Sequence, residues 1–249
     1  MTIGCNGVVF ENIQSIIFDK DGTLANSEVF LRTLAQRRAR LIDTQIPGVQ
    51  EPLLMAFGVE GDRLNPAGLM AVGSRLENEI AAAAYIAETG RGWVQAMEIA
   101  RSAFLEADDS SQRNLPRKAE QTPPIEGAIE LIQSLSSVNL KLGILSSDST
   151  EQIQDFVKKY NLESYFHCLV GTDGYANKSD PKLLQQLISK LEILPAQTLM
   201  VGDAEIDLQI AHRAGLAGCI AMTGGWATPI QLLGATAVAR SLHEIKIFN

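Results

Sequence analysis

Apolar residues along this chain follow two rhythms. Short, largely apolar runs occur at residues 15–18, 140–145, 168–170, 198–201 and 219–222, each bounded by polar or turn-forming residues. Such runs predict strands buried on both faces, as in a parallel sheet. Between the later runs the spacing changes to three and four. Ile129, Ile132 and Leu135 predict one helix, and Ile153, Phe156, Val157 and Tyr160 a second. Leu183, Leu184, Leu187, Ile188 and Leu191 predict a third. Strands alternating with helices of this length define βαβ units.

Residues 25–121 break that alternation: they show no convincing strand and read as helices. Leu31, Leu34, Ala35, Leu41 and Ile42 mark one helix. Ser74 and Glu77 form a capping box ahead of Ile80 and an alanine run, with a stop at Thr89-Gly90. Trp93, Ala96, Met97, Ala100 and Phe104 form another apolar stripe, of the kind that packs against a neighbour. Pro123-Pro124 closes the segment. Its cations differ too: ten Arg and one Lys here, against two Arg and eight Lys elsewhere. The expected organisation is an α/β domain, a Rossmann-like parallel sheet flanked by helices, built from residues 1–24 and 122–249. An α-helical domain, residues 25–121, is inserted into it.

A length of 249 residues suffices for a large core without disulfides. The net charge of -8 lacks the basic field of non-specific nucleic-acid binding, so no nucleic-acid partner is expected. Cys5, Cys168 and Cys219 are an odd set without a CxxC pair, which argues against a disulfide framework or a cysteine zinc site and suits a reducing cytoplasm. His167, His212 and His243 lie far apart and read as structural. Residues 1–10 lack the basic start of a signal peptide, and no stretch approaches about 18 uninterrupted apolar residues. A cytoplasmic monomer or homodimer without membrane partners is expected.

Open parallel sheets bind ligands beyond the carboxyl ends of their strands. Asp19-Lys20-Asp21-Gly22-Thr23-Leu24 follows the first run, and Ser146-Ser147-Asp148 the second. Gly202-Asp203 follows the fourth, with Asp207 four residues beyond, while Lys178 precedes a helix. Carboxylates, a hydroxyl and a lysine gathered there suit phosphoryl transfer. One carboxylate can attack phosphorus, and another two residues away can move the proton. Hard oxygens also suit Mg²⁺. A calcium loop of the EF-hand kind would need Asp or Asn where Thr23 stands.

These segments resemble the haloacid dehalogenase superfamily, predominantly phosphohydrolases. Asp19 through Leu24 is similar to its DxDGTL signature, and residues 142–147 to its strand ending in Ser or Thr. Lys178-Ser179-Asp180-Pro181 resembles K-P-x-P with Ser179 replacing the first proline, and Gly202-Asp203 through Asp207 resembles GDx₃D. The insertion is similar to the family's helical cap of the first type. The resemblance implies Asp19 as nucleophile and Asp21 as general acid/base. Ser146 would hold a phosphate oxygen, and Lys178, preferred to Lys182, would neutralise the phosphoryl group. Mg²⁺ would be held by the side chains of Asp19 and Asp203 and the backbone carbonyl of Asp21. Asp207 would act on Lys178 or on a metal-bound water. Gly22, Thr23 and Ser147 are expected as substrate contacts.

Asp21 argues against dehalogenation, which needs no acid for its leaving group. A P-type ATPase would carry Thr there, and a phosphonatase would need a Schiff-base lysine from the cap, whose single lysine is Lys118. A Mg²⁺-dependent phosphatase acting on a small phosphorylated metabolite is expected, similar to phosphoglycolate phosphatases. A phosphomutase of the β-phosphoglucomutase type is the alternative within the enzyme class, and a non-catalytic regulatory protein of the same fold the alternative outside it. Ser74 and Arg75 are expected to project from the cap towards Asp19, where the arginine fork could pair with a second anionic group on the substrate.

Overall fold

A computed structural model describes residues 1–109, 116–173 and 177–248. The chain opens with β1 (Thr2–Cys5), β2 (Val8–Phe10) and β3 (Ser15–Phe18). It continues through α1 (Glu28–Asp43), α2 (Gln50–Phe57), β4 (Val59–Glu60), β5 (Arg63–Leu64), α3 (Leu69–Val72), α4 (Arg75–Glu88), α5 (Trp93–Asp108) and α6 (Lys118–Gln121). Then come α7 (Ala128–Ser137), β6 (Lys141–Leu145), α8 (Thr150–Lys159), β7 (Phe166–Val170), α9 (Pro181–Leu191), β8 (Thr198–Gly202), α10 (Glu205–Arg213), β9 (Gly218–Met222), β10 (Ala237–Ala239) and β11 (Ile245–Phe248).

Six strands form one parallel sheet in the order β10-β9-β8-β3-β6-β7. All four residues of β3 are buried because it is flanked on both edges, by β6 in register Phe18↔Ile144 and by β8 in register Phe18↔Val201. The period-two rule divides the core into two layers. Ile16, Phe18, Leu142, Ile144, Leu199 and Val201 face α7 and α8, while Ile17, Leu145 and Met200 face α9 and α10. From β3 the chain builds outward through β6 and β7, then returns to its other side with β8. The strand order therefore reverses at β3, where a crevice opens beyond the carboxyl ends.

Three features depart from the apolar pattern, the first being the three-residue edge strand β10, which lies outside the five runs. A three-stranded antiparallel sheet, β11-β1-β2, ties both ends of the described chain together. Its signal is the Asn6-Gly7 pair, whose positive φ angles of 46° and 86° make the tight hairpin turn that such pairs favour. The strandless reading of residues 25–121 is also corrected, since β4 and β5 pair as a two-residue hairpin. Those runs are too short to show a period.

Helices α1 to α5 hold an apolar cluster of their own, built on Leu31, Ala35, Leu53, Phe57, Ala82, Ile86 and Phe104. Ser74 caps α4 with the reciprocal Ser74–Glu77 bonds of a capping box. Two antiparallel passages join these helices to the sheet: Ala25 bridges Pro124, Asn26 N–H donates to Pro123 at 2.8 Å, and Ile125 N–H donates to Leu24 at 2.8 Å. Among the described residues no helix is long and apolar enough to cross a membrane, and the three cysteines are free and buried.

Candidate active site

The site lies at the ends of β3, β6 and β8. Asp19 leaves β3 with its N–H donating to Val201 at 2.9 Å, and its Oδ1 accepts from Lys20 N–H at 2.6 Å. Lys178 Nζ is 2.7 Å from Asp19 Oδ2 and 2.7 Å from Asp207 Oδ1, with only 3% of its side chain exposed. Asp207, in the first turn of α10, accepts from Ala204 N–H at 3.1 Å. A Cβ on Gly202 would meet that carboxyl at 2.3 Å, so this approach requires glycine. Asp203 Oδ1 accepts from Thr23 Oγ1 at 2.9 Å, and its Oδ2 accepts from Trp226 Nε1 at 2.6 Å.

Asp19, Asp203 and Asp207 each bring a carboxylate oxygen within 4.8 Å of the others, against one ammonium group, Lys178. Burial raises the Asp19 carboxyl most; Lys178 pulls it down and Asp207 pushes it up, leaving it at about 7. Burial, then Asp19 and Asp207, push Asp203 well above the carboxylate range. Burial lowers Lys178, but Asp19 and Asp207 outweigh it and hold the ammonium charged. Hard oxygens with surplus buried negative charge fit a small divalent cation, and of the three carboxylates Asp207 is already committed to Lys178 and Ala204.

Asp21 belongs to a second network. Lys20 Nζ bonds Asp21 Oδ1 and lies 2.9 Å from Asp148 Oδ2. Lys118 Nζ is 2.6 Å from Asp21 Oδ2 and 2.6 Å from Asp148 Oδ1. Two lysines and two aspartates thus alternate around a closed ring, and Ser27 Oγ donates to Asp21 as well. Burial alone would raise Asp21, but Lys118 and Lys20 outweigh it and hold the carboxyl well below its usual range.

The other expected residues fall in three groups. Ser146 is buried and lines, with Ser147, Lys178 and Asp203, a cavity of about 20 Å³ over Asp19 and Asp21. Ala71 and Val72 of α3 close it from above, and Ser147 Oγ stands 3.5 Å from the Val72 carbonyl. Gly22 and Thr23 are placed against Trp226 and Asp203. The turn after β3 points Thr23 inward, fully buried, with its hydroxyl spent on Asp203. Gly22, at φ 77°, leaves room for the indole, since a Cβ would meet Trp226 Nε1 at 2.3 Å. Ser74 and Arg75 are not brought onto Asp19. The Ser74 hydroxyl caps α4, and Arg75 pairs with Glu79 at 2.9 Å and Asp108 at 3.3 Å. Arg75 instead lines a wider cleft of about 960 Å³ beside Asp21, with Arg37, Arg38, Asn78 and Lys118.

Ser179, standing where the family pattern has proline, is tied back to its own loop. Asn177 Oδ1 accepts from Ser179 N–H at 2.9 Å and Oγ at 3.0 Å, and Asp180 and Pro181 start α9. Lys182 is exposed on that helix, away from the cluster. Lys20, Asp148, Lys118 and Trp226 join the site without a role assigned from sequence. Asp148 at least stands at a strand end, and Lys20 lies between the two aspartates. Lys118 and Trp226 arrive through tertiary contacts that no local pattern announces.

Residues 13–215 match the model of the haloacid dehalogenase-like hydrolases, and the chain belongs to that family. A curated phosphoglycolate phosphatase of Vibrio vulnificus is 25% identical over 238 residues, covering 94% of this chain and 95% of its own. Another, of Rhodospirillum rubrum, is 26% identical over 238 residues, covering 90% and 86%. The crystal structure of a predicted phosphoglycolate phosphatase from Haemophilus somnus superposes with a TM-score of 0.67 at 19% identity, over 94% of this chain and 96% of that one; at that identity it shows the fold. A hydrolase from Pseudomonas syringae has a TM-score of 0.61 at 25% identity, over 93% and 95%.

Proposed function

We propose that this hydrolase is a Mg²⁺-dependent phosphatase that cleaves a small phosphorylated metabolite through an aspartyl phosphate on Asp19, with residues 25–121 as the cap. The observation that carries the reading is the buried cluster of Asp19, Lys178, Asp203 and Asp207 at the strand-order reversal. The side chains of Asp19 and Asp203 and the backbone carbonyl of Asp21 would hold Mg²⁺, which would supply charge neutralisation between the carboxylate and an anionic phosphate.

The residues divide the remaining work. Lys178 and Ser146 hold phosphoryl oxygens. An Asp19 oxygen bonds to phosphorus as the ester oxygen leaves with its electron pair, and Asp21 supplies the proton that oxygen needs. Water then attacks phosphorus, gives its proton to Asp21, and restores Asp19. Between Lys20 and Lys118, Asp21 is a carboxylate, the form that accepts the proton from water. Before it can donate, one of the two ammonium groups must move away from it.

Ala71 and Val72 over the reacting centre exclude bulk water, and the wider cleft leaves room for the leaving alcohol. The names of the curated relatives support a small phosphorylated acid as substrate, and three free thiols suit the cytoplasm. Turnover of p-nitrophenyl phosphate tests the reading. Activity should require Mg²⁺, vanish with EDTA and return on adding the metal. Full activity in EDTA would contradict it.

A further inference from the structure

The loop after β9 carries no residue of the four family segments, yet it grips both the metal-binding carboxylate and the cap. Trp226 is buried and donates from Nε1 to Asp203 Oδ2 at 2.6 Å. Its ring belongs to the apolar cluster of the cap helices, with Leu31, Ala35 and Met70, rather than to either layer of the sheet. Next to it, Ala227 N–H donates at 2.7 Å to Glu28 Oε2, in the first turn of α1. The other oxygen of Glu28 accepts from Leu64 N–H of β5 at 3.4 Å.

On the opposite side the loop presses against the turn after Asp21. A Cβ on Gly225 would stand 1.7 Å from the Gly22 carbonyl oxygen, so only glycine permits the approach. The loop therefore has two attachments on the cap, the indole ring and Glu28. It has two on the catalytic floor, Asp203 and the Gly22 backbone.

We propose that Trp226 is a positioning residue that couples the seating of the cap to the orientation of Asp203, and hence to metal affinity. The inference rests on Asp203 holding Mg²⁺. With one oxygen tied to Nε1, the Asp203 carboxylate is held in one orientation while the indole stays packed in the cap. Displacing the ring frees Oδ2 and leaves the carboxylate held through Oδ1 by Thr23 alone. By reciprocity, whatever orders Asp203 also favours the seated cap.

Calorimetric titration of the metal-free full chain with Mg²⁺ tests this. Trp226→Phe keeps a ring in the cluster and removes the donor, and should weaken Mg²⁺ binding about tenfold, the low end for groups that orient a metal ligand. Glu28→Ala, which touches no metal ligand, should weaken it about fivefold through the loop. A merely structural role would lower Tm and leave Kd within about twofold, which would overturn the coupling. A second readout does not depend on the folding of Trp226→Phe. The chain has two tryptophans, and Trp93 is half exposed on α5. In Trp93→Phe, the emission of Trp226 should change and saturate with the calorimetric isotherm. An unchanged emission across a saturating isotherm would overturn the proposal. Wild-type protein that binds no Mg²⁺ would instead overturn the metal assignment, and the coupling with it.

Discussion

Replacing Lys178 by Met should expose the electrostatic problem that this site solves. The side chain is 3% exposed and its Nζ stands 2.7 Å from both Asp19 and Asp207. Removing it leaves three carboxylates with ligand oxygens within 4.8 Å and no ammonium among them. Breaking a buried pair from one side costs about 3–5 kcal/mol, because the surviving charge stays buried without its partner. For a chain of this size, that loss lowers Tm by roughly 6–20 °C. Thermal melts in EDTA at pH 8 measure it. At pH 5.5 the loss should shrink, since Asp19, with its pKa at about 7, is then protonated and needs the ammonium less. Lys182→Ala, on the exposed side of α9, should stay within about 0.5 kcal/mol of wild type. A Lys178→Met protein that melts within about 2 °C of wild type at pH 8, where a loss of 1 kcal/mol already shows, would refute the reasoning.

Metal binding and pH should be linked in the wild-type chain. With the Asp19 carboxyl raised from 3.8 to about 7, the metal-free folded chain keeps a proton that the unfolded chain has lost, so its stability falls as pH rises between these values, by on the order of 4 kcal/mol. Saturating Mg²⁺ should therefore raise Tm more at pH 8 than at pH 5.5, and equal shifts would contradict the site's charge balance. Ser74→Ala should cost about 1 kcal/mol through the lost helix cap while leaving KM unchanged. A raised KM with an unchanged Tm would instead place the hydroxyl on the substrate.

Five of the six strands of the sheet are legible in the sequence because their interiors are apolar runs between two helical layers; the three-residue edge strand β10 is not. Residues 15–18 and 198–201 predict their elements to within a residue, and the capping box at Ser74 marks the start of α4. Strand-end placement likewise brings Asp19, Ser146, Lys178, Asp203 and Asp207 into one crevice. Partners fixed by tertiary approach were not legible. Trp226 lies 23 positions from Asp203, and Lys118 lies 97 positions from Asp21, with no periodicity linking either pair. Thr23 and Arg75 have protein partners that the sequence also does not announce. Their residue types suit a phosphate or a second anion, but a nearer carboxylate claims each of them, Asp203 in one case and Glu79 in the other.

The central claim is that Asp19 carries the phosphoryl group. Protein quenched in acid during turnover of p-nitrophenyl phosphate with Mg²⁺, then digested and analysed by mass spectrometry, tests it most directly. A phosphoryl adduct on the peptide containing Asp19, absent from Asp19→Asn together with turnover, is the expected result. Undiminished turnover by Asp19→Asn, or an adduct on another residue that persists in that variant, would contradict the account.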